Sequence, residues 1–138
     1  MKYRMEYKNT EEYVAILLLG IAEEIREYRG SVYGGESIEN QLNEYGDILW
    51  NIAELENLLD ERCPRHKLFS DSREKCEMDI TRSCIQAVRK HYHRDRELEV
   101  LLSCAGDILA DCHIHFVCSR VAGDAMTANV AKMKGRYS

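Results

Sequence analysis

Two pairs of acidic side chains in the first half of the sequence are spaced for binding a divalent cation. Glu24 and Glu27 lie three residues apart in AEEIRE, and Glu44 and Asp47 have the same spacing in NEYGD. Residues three apart on an α-helix share one face, so the carboxylates of each pair can converge on one point. Helical wheels place both pairs on the same side of their apolar arcs, although Asp47 points nearly outward, at roughly 155° from the arc centre. Two antiparallel helices would bring all four carboxylates to one rim.

The chemistry of this acidic set favours Mg²⁺ or Mn²⁺. Four carboxylates held close together repel one another unless a cation neutralises them, and ligation by oxygen alone suits these ions better than zinc. A diiron centre requires Glu-x-x-His pairs, and none of the five histidines follows a glutamate at that spacing. A single Glu-x-x-Glu is common on solvated helices, and it is the second matched pair that favours a metal site.

The segment that carries the acidic pairs is repeated later in the chain. Residues 24–59 align with residues 84–119 without a gap and with eight identities, among them a Gly-Asp-Ile-Leu run. At the four acidic positions the second copy has, in order, Cys84, Ala87, Cys104 and Asp107. The frame is therefore retained while three of the four acids are lost, and we predict a cation site in the first copy only.

The composition predicts one all-α domain over residues 1–138. The chain has 45% hydrophobic residues and a single proline, and its long runs are rich in Leu, Ile, Ala, Glu and Arg. We predict five helices, over about residues 10–29, 37–59, 72–91, 95–121 and 124–135. The first four should form a four-helix bundle from two helix–loop–helix units, followed by a short C-terminal helix.

Local signals define the predicted helix ends. Ser37 and Asp95 are the expected N-caps of the second and fourth helices, and Asp124 that of the fifth. The glycine-rich segment 30–35 is expected to be a loop. Residues 60–72, which contain the only proline, form the predicted linker between the two units.

Charge and cysteine usage exclude some classes of function. The net charge of −5 disfavours broad attraction to nucleic acid or to an anionic membrane. The distribution is uneven, with a net −8 in residues 1–62 and +3 in residues 63–138. The longest apolar run, residues 13–22, is too short to span a bilayer, and no signal peptide is visible. Six cysteines without a Cys-x-x-Cys pair indicate reduced, mostly buried thiols, and so a soluble cytoplasmic protein.

Taken together, these motifs resemble the all-α nucleoside triphosphate pyrophosphohydrolases, the superfamily of MazG-like proteins and dimeric dUTPases. The family pattern is Glu-Glu-x-x-Glu followed, after a gap, by Glu-x-x-Asp. Here it is formed by Glu23, Glu24, Glu27, Glu44 and Asp47. The family's C-terminal pattern is matched in ANVAKMKGRY by Asn129, Lys132, Arg136 and Tyr137, with Met133 where leucine is usual.

The resemblance implies hydrolysis of a nucleoside triphosphate between its α and β phosphates. Its metal ligands would be Glu24, Glu27, Glu44 and Asp47, holding Mg²⁺ or, as a second choice, Mn²⁺. Glu23 or Glu24 would accept the proton of the attacking water. Asn129, Lys132, Arg136 and Tyr137 would bind the substrate. The resemblance also implies a homodimer, and it suggests that the second unit is a fused, specialised partner of the first.

Further residues and functions stay open at this point. Trp50 could stack on a base or ribose, or be a packing anchor, and Lys90 is a lesser candidate for a phosphate contact. Cys112, His115 and Cys118 have helical spacing, but buried helix thiols are commoner than such a zinc site. A phosphoribosyl-nucleotide pyrophosphohydrolase and a non-catalytic bundle that binds a nucleotide or a protein are the alternative functions. No residue type identifies the preferred base.

Overall fold

The prediction of an all-α protein is confirmed. A computed structural model of the chain describes residues 10–62, 76–94 and 97–137, with side chains described as far as Asp60 in the first range and Ala128 in the last. Within these ranges every regular element is helical. The helices are α1 (Thr10–Tyr33), α2 (Ile38–Arg62), α3 (Glu77–His93), α4 (Leu98–Cys112) and α5 (Arg120–Tyr137), and a π-helical turn (His113–Val117) follows α4.

Helices α1 and α2 are the centre of the bundle. Helix α1 packs against α2, α3 and α4, and α2 also contacts α4 and α5. The two central helices are antiparallel, because Tyr13 near the start of α1 donates a hydrogen bond of 2.7 Å to Glu54 near the end of α2. At the other end of α1, Arg29 Nη1 lies 2.8 Å from Glu77 Oε1 at the start of α3. Every other element therefore packs directly or indirectly on this pair.

The connection between α1 and α2 is shorter than predicted. The prediction of a loop is wrong for its first four residues, because α1 continues through Gly30 to Tyr33 and buries Ser31. The helix ends where Gly35 adopts a φ of 68°, a left-handed conformation that glycine adopts without strain. Ser37 is confirmed as the N-cap of α2, because its Oγ accepts a hydrogen bond of 3.1 Å from the backbone N–H of Asn40.

The prediction of one long fourth helix followed by a short fifth helix is wrong. Helix α4 ends at Cys112, and α5 begins at Arg120 and is 18 residues long. A tertiary contact explains the break. The Tyr45 hydroxyl on α2 donates to the carbonyl of Phe116 at 2.7 Å and lies 2.6 Å from Ser119 Oγ. Ser119 in turn accepts a hydrogen bond from Ala122 N at 3.3 Å, which caps α5.

The remaining predicted boundaries lie partly outside the described residues. Helix α2 runs three residues further than predicted, to Arg62, and residues 63–75 of the predicted linker and third-helix start are not described. Helix α3 begins at Glu77 and ends at His93. The predicted cap Asp95 also lies outside the described ranges, and Glu97 is the N-cap position of α4.

One described stretch, Leu98–Val117, is long and apolar enough to span a bilayer by length and composition alone. Its α4 part packs against α1, α2 and α3, and 44% of the apolar window is buried inside the bundle. A helix in the core of a bundle can have the same length, apolar composition and burial. Of the described cysteines, Cys84 and Cys112 are buried, Cys104 is half-buried, and Cys76 and Cys118 are exposed; all five are free thiols.

We expect Tyr45→Phe to lower the free energy of unfolding by about 1–2 kcal/mol, because the buried Phe116 carbonyl and Ser119 hydroxyl lose a partner. Urea unfolding followed by circular dichroism measures this change. Tyr92→Phe is the control, since Tyr92 is 42% exposed. Equal stability of the two variants would show that the hydroxyl does not hold the junction between α4 and α5.

Candidate metal centre

Three carboxylates converge where α1 and α2 lie side by side. One oxygen from each of Glu24, Glu44 and Asp47 lies within 4.8 Å of the other two. Glu24 comes from α1, and the other two residues come from α2. Glu24 and Glu44 are half-buried whereas Asp47 is exposed, so the cluster is sheltered by the helices on one side and open to solvent on the other.

The fourth predicted ligand, Glu27, lies at the outer edge of this cluster. Its side chain is exposed, one turn beyond Glu24 on α1. Its carboxylate is within hydrogen-bonding and electrostatic range of both Glu24 and Glu44. The structure therefore brings all four predicted acids to one rim, with three of them in the tight group and Glu27 beside it.

The electrostatics of the cluster are those of closely spaced carboxylates that repel one another. Burial raises the pKa of Glu24 to about 7, and the negative charges of Glu27, Asp47 and Glu44 add to the shift. Burial, with Glu27 and Asp47, also raises the pKa of Glu44. The Oε2 atoms of Glu24 and Glu44 are both buried, and within the described part of the chain they have no hydrogen-bond partner.

A divalent cation fits these residues. A buried carboxylate oxygen without a donor is unfavourable unless a proton or a cation compensates it. The donors are all hard oxygens, which Mg²⁺ and Mn²⁺ prefer. Glu24, Glu44 and Asp47 would hold the ion, with Glu27 as an adjoining carboxylate.

The other predicted catalytic residue, Glu23, is not brought into this cluster. It is exposed, and successive residues of a helix point about 100° apart, so its side chain diverges from that of Glu24. The choice between Glu23 and Glu24, which the sequence leaves open, therefore favours Glu24 on geometry.

Two of the predicted substrate contacts, Trp50 and Lys90, lie at different distances from the acidic cluster. Trp50 lies one turn after Asp47 on α2 and is 43% exposed. Lys90 is near the C-terminal end of α3, where the neighbouring His91 contacts Glu11 at 2.7 Å in the first turn of α1. Because Glu24 is roughly 20 Å further along α1, the structure does not bring Lys90 to the acidic cluster.

The C-terminal substrate contacts cannot be placed at the side-chain level. Asn129, Lys132, Arg136 and Tyr137 all lie on α5, but their side chains lie outside the described part of the structure. Their role stays a prediction. Among the described residues, Cys112, His115 and Cys118 form no group with metal-binding geometry, and the acidic cluster is the one such group found there.

The second copy of the repeat has an apolar equivalent of the acidic rim. Cys84 and Ala87 are buried, and Cys104 is half-buried. Asp107 is exposed like its counterpart Asp47. Three of the four positions thus offer no carboxylate to a cation.

Sequence reasoning missed one feature that sets the spacing of α1 and α2 beside the cluster. Asn51 Nδ2 donates a hydrogen bond of 3.0 Å to the backbone carbonyl of Asp47. A Cβ atom added to Gly20 on α1 would lie only 2.8 Å from Asn51 Oδ1. Gly20 therefore leaves room for the amide that contacts the Asp47 turn. The available signal was a glycine inside an otherwise strongly apolar helix.

Comparisons with known proteins give no relative for this chain. No family model matches the sequence, and neither the curated proteins nor the solved structures contain a match. The acidic motif and the geometry of the cluster are therefore the features of this chain that bear on its function.

The pH dependence of stability should reveal the ionisation of the crowded carboxylates. Folded Glu24 holds its proton up to a pKa of about 7, whereas an ordinary glutamate ionises near 4.5. Between these values the folded state binds more protons than the unfolded state, so without metal the stability falls as the pH rises through this window. Mg²⁺ should raise the melting temperature more at about pH 8 than at about pH 5.

Differential scanning calorimetry with EDTA or Mg²⁺ at both pH values measures this effect. Glu24→Gln should remove most of the pH dependence and of the Mg²⁺ response, while Glu23→Gln on the exposed neighbour should retain both. A Glu24→Gln protein that responds to Mg²⁺ like the unmodified chain would contradict the assignment.

Gly20→Ala should weaken cation binding by roughly tenfold, because the new methyl group displaces Asn51 from the Asp47 turn. Isothermal titration with Mn²⁺ provides the measurement. Gly30→Ala is the matched control on the same helix, since its Cβ meets no atom within 4 Å. The control should bind Mn²⁺ normally and be more stable, by about 0.5–1 kcal/mol, from its better helix propensity. Equal Mn²⁺ affinity of both variants would exclude a role for Gly20 in positioning the cluster.

Proposed function

We propose that this protein is a Mg²⁺-dependent nucleotide pyrophosphohydrolase. It would cleave a nucleoside or deoxynucleoside triphosphate between the α and β phosphates, giving the monophosphate and pyrophosphate. One observation above all supports this proposal. Carboxylates from two helices converge within 4.8 Å, and among the described residues the buried Oε2 atoms of Glu24 and Glu44 have no hydrogen-bond partner. The sequence resemblance supplies the reaction.

The cluster supplies what attack of water on a phosphoanhydride needs. A bound cation would neutralise phosphate oxygens and lower the pKa of a water molecule. Asp47 lies on the solvent side, where a triphosphate can approach, and the half-buried Glu24 and Glu44 form the inner wall. Crowding among the four acids keeps a high affinity for positive charge on this rim.

Glu24 is the best-placed residue to accept the proton of the attacking water. Its carboxylate is in the cluster, beside the position of the proposed cation, and a carboxylate there can accept the proton of an attacking water. Glu27 is the adjoining carboxylate that can share this proton, because it is within hydrogen-bonding range of Glu24.

The leaving pyrophosphate requires positive charge, which the second half of the chain provides. Residues 63–138 carry a net +3 against −8 for residues 1–62. Lys132 and Arg136 are the proposed donors, with Asn129 and Tyr137 as further substrate contacts, on the strength of the family pattern. A homodimer in the cytoplasm, without nucleic acid or membrane partners, completes the proposal.

A pyrophosphate-release assay tests the proposal. Purified protein is incubated with dUTP, dCTP, dTTP, dATP, dGTP, the four ribonucleoside triphosphates and phosphoribosyl-ATP, with Mg²⁺ or with EDTA. Turnover that requires Mg²⁺ and yields a monophosphate supports the proposal. Release from phosphoribosyl-ATP alone would favour the phosphoribosyl-nucleotide alternative, and binding without release from any substrate would favour a non-catalytic bundle.

Asp47→Ala should lower kcat/KM by about 10³-fold or more, because it removes a carboxylate from the cation-binding group. Asp107→Asn is the matched control. Asp107 occupies the corresponding position of the second copy and is exposed, so the substitution should leave turnover unchanged. Robust turnover by Asp47→Ala would refute the assignment of the cluster as the active centre.

A further inference from the structure

The acidic cluster lies at one end of an open seam between α1 and α2. Further along the same two helices, Tyr13 donates a hydrogen bond of 2.7 Å to Glu54 and bridges them. Glu54 follows Asp47 by seven residues on α2, so the stretch between the acids and this bridge is about 10 Å long. A ligand whose phosphates are held at the acids can therefore extend along the seam by this length.

Gly20 and Asn51 form the floor of the seam, and each lies one turn from the acids. Gly20 precedes Glu24 by four residues on α1, and Asn51 follows Asp47 by four on α2. A Cβ atom added to Gly20 would lie only 2.8 Å from Asn51 Oδ1, so the amide lies directly against this glycine. Asn51 Nδ2 also donates to the Asp47 carbonyl at 3.0 Å. This hydrogen bond joins the floor to the acidic cluster.

Exposed apolar side chains flank this floor on both sides. Leu19 and Ile16 on α1 and Trp50 on α2 are all exposed. At about 100° per residue, all three lie on the solvent side of the line along which α1 and α2 face each other. Leu19 is adjacent in sequence to Gly20, and Trp50 to Asn51, so these two side chains are at nearly the same level on opposite sides of the seam.

The width of the seam suits a flat aromatic ring. The axes of packed helices are about 8–10 Å apart, and side chains that project from two such helices towards the same side are separated by about this distance. A ring in van der Waals contact with a wall on each face needs about 7–8 Å between the walls. Stacking on an aromatic side chain is possible for every nucleobase, because every base has a π-face.

The floor suits the polar edge of such a ring. A carboxamide has two N–H donors and an acceptor oxygen, and the edges of nucleobases carry donors and acceptors. The hydrogen bond to the Asp47 carbonyl uses one N–H group of Asn51 and fixes the orientation of the amide. A ring that stands between the walls therefore meets a fixed amide with its edge.

We propose that this seam binds the nucleoside of the nucleotide whose phosphates are held at the acidic cluster. The base lies between Trp50 and Leu19 with its polar edge on Asn51, and the sugar spans the turn between the base and the acids. The inference rests on the proposed function, and it adds the place and the chemistry of base recognition. Asn51 then has two roles, because it supports the Asp47 turn and contacts the base.

Deoxynucleosides test the seam separately from the acids, because they carry no phosphate and need no metal. The only tryptophan of the chain is in the proposed site, so its fluorescence is the signal. The titrants are deoxyuridine, deoxycytidine, thymidine, deoxyadenosine and deoxyguanosine, with deoxyribose as the probe that has no base. At least one nucleoside should change the emission saturably, and deoxyribose should not. No saturable change with any nucleoside, or the same change with deoxyribose, would overturn the proposal.

Variants of one wall and of the floor locate the response. Leu19→Ala removes apolar contact area and should weaken nucleoside binding about fivefold or more. Asn51→Ala removes the amide and should weaken it to a similar extent, which provides a second test if one variant fails to fold. Ile85→Ala is the matched control, since Ile85 is an exposed aliphatic residue on α3, and it should bind normally. Unchanged affinity in Leu19→Ala and Asn51→Ala would exclude the seam.

A further variant separates the two sides of Trp50. This side chain also lines a cavity between α2 and α5, together with Met126. Met126→Ala changes that cavity and leaves the seam intact, so it should not alter nucleoside binding. Loss of binding in Met126→Ala, with normal binding in Leu19→Ala, would place the base in the cavity and overturn the proposal.

The failure of the seam and the failure of the proposed function give different results. If both proposals hold, Leu19→Ala should raise KM for the triphosphate with little change in kcat. Mg²⁺-dependent pyrophosphate release with an unchanged KM in Leu19→Ala would overturn the seam and leave the proposed function intact. Nucleoside binding that Leu19→Ala weakens, without pyrophosphate release from any triphosphate, would support the seam and overturn the proposed function.

Discussion

Mutual repulsion among carboxylates at the α1–α2 interface is the constraint on which the candidate site depends. These acids are not spread over a solvated surface, where water would screen them at little cost. Glu24 and Glu44 are half-buried between two helices that also form the centre of the bundle. Their burial and their proximity both penalise the charged state. An arrangement that disfavours its own ionisation favours the binding of protons or of a cation at neutral pH, and this is the physical basis for proposing a metal function.

The acidic cluster could be predicted from the sequence because it depends on local geometry. Spacing of three residues places Glu24 beside Glu27, and Glu44 beside Asp47, wherever the helices lie. Convergence of the two pairs then required only that α1 and α2 be antiparallel neighbours, which a short connection makes the commonest arrangement. The all-α class was accessible for the same reason, since composition and periodicity are local properties of the chain.

The missed features all depend on contacts between residues distant in sequence. The break between α4 and α5 arises from the Tyr45 hydroxyl, which is 71 residues from the Phe116 carbonyl it contacts, and no periodicity within 95–121 signals it. The close approach at Gly20 depends on Asn51, which lies across a helix interface. Lys90 seemed available for phosphate binding, but the antiparallel packing of α3 on α1 places it at the wrong end. In each case the pattern within one segment could not show which neighbour it would meet.

The burial of Cys84 has a consequence for the chemistry of the second half. Burial raises the pKa of this thiol to about 12, and the thiolate is the form that attacks alkylating reagents and forms mixed disulfides. Cys84, which stands where the first copy has Glu24, is therefore neither ionised nor nucleophilic in the folded protein. At this position one copy of the repeat thus has a carboxylate that can attract a cation, and the other has a protonated thiol that electrophiles do not readily modify in the folded protein.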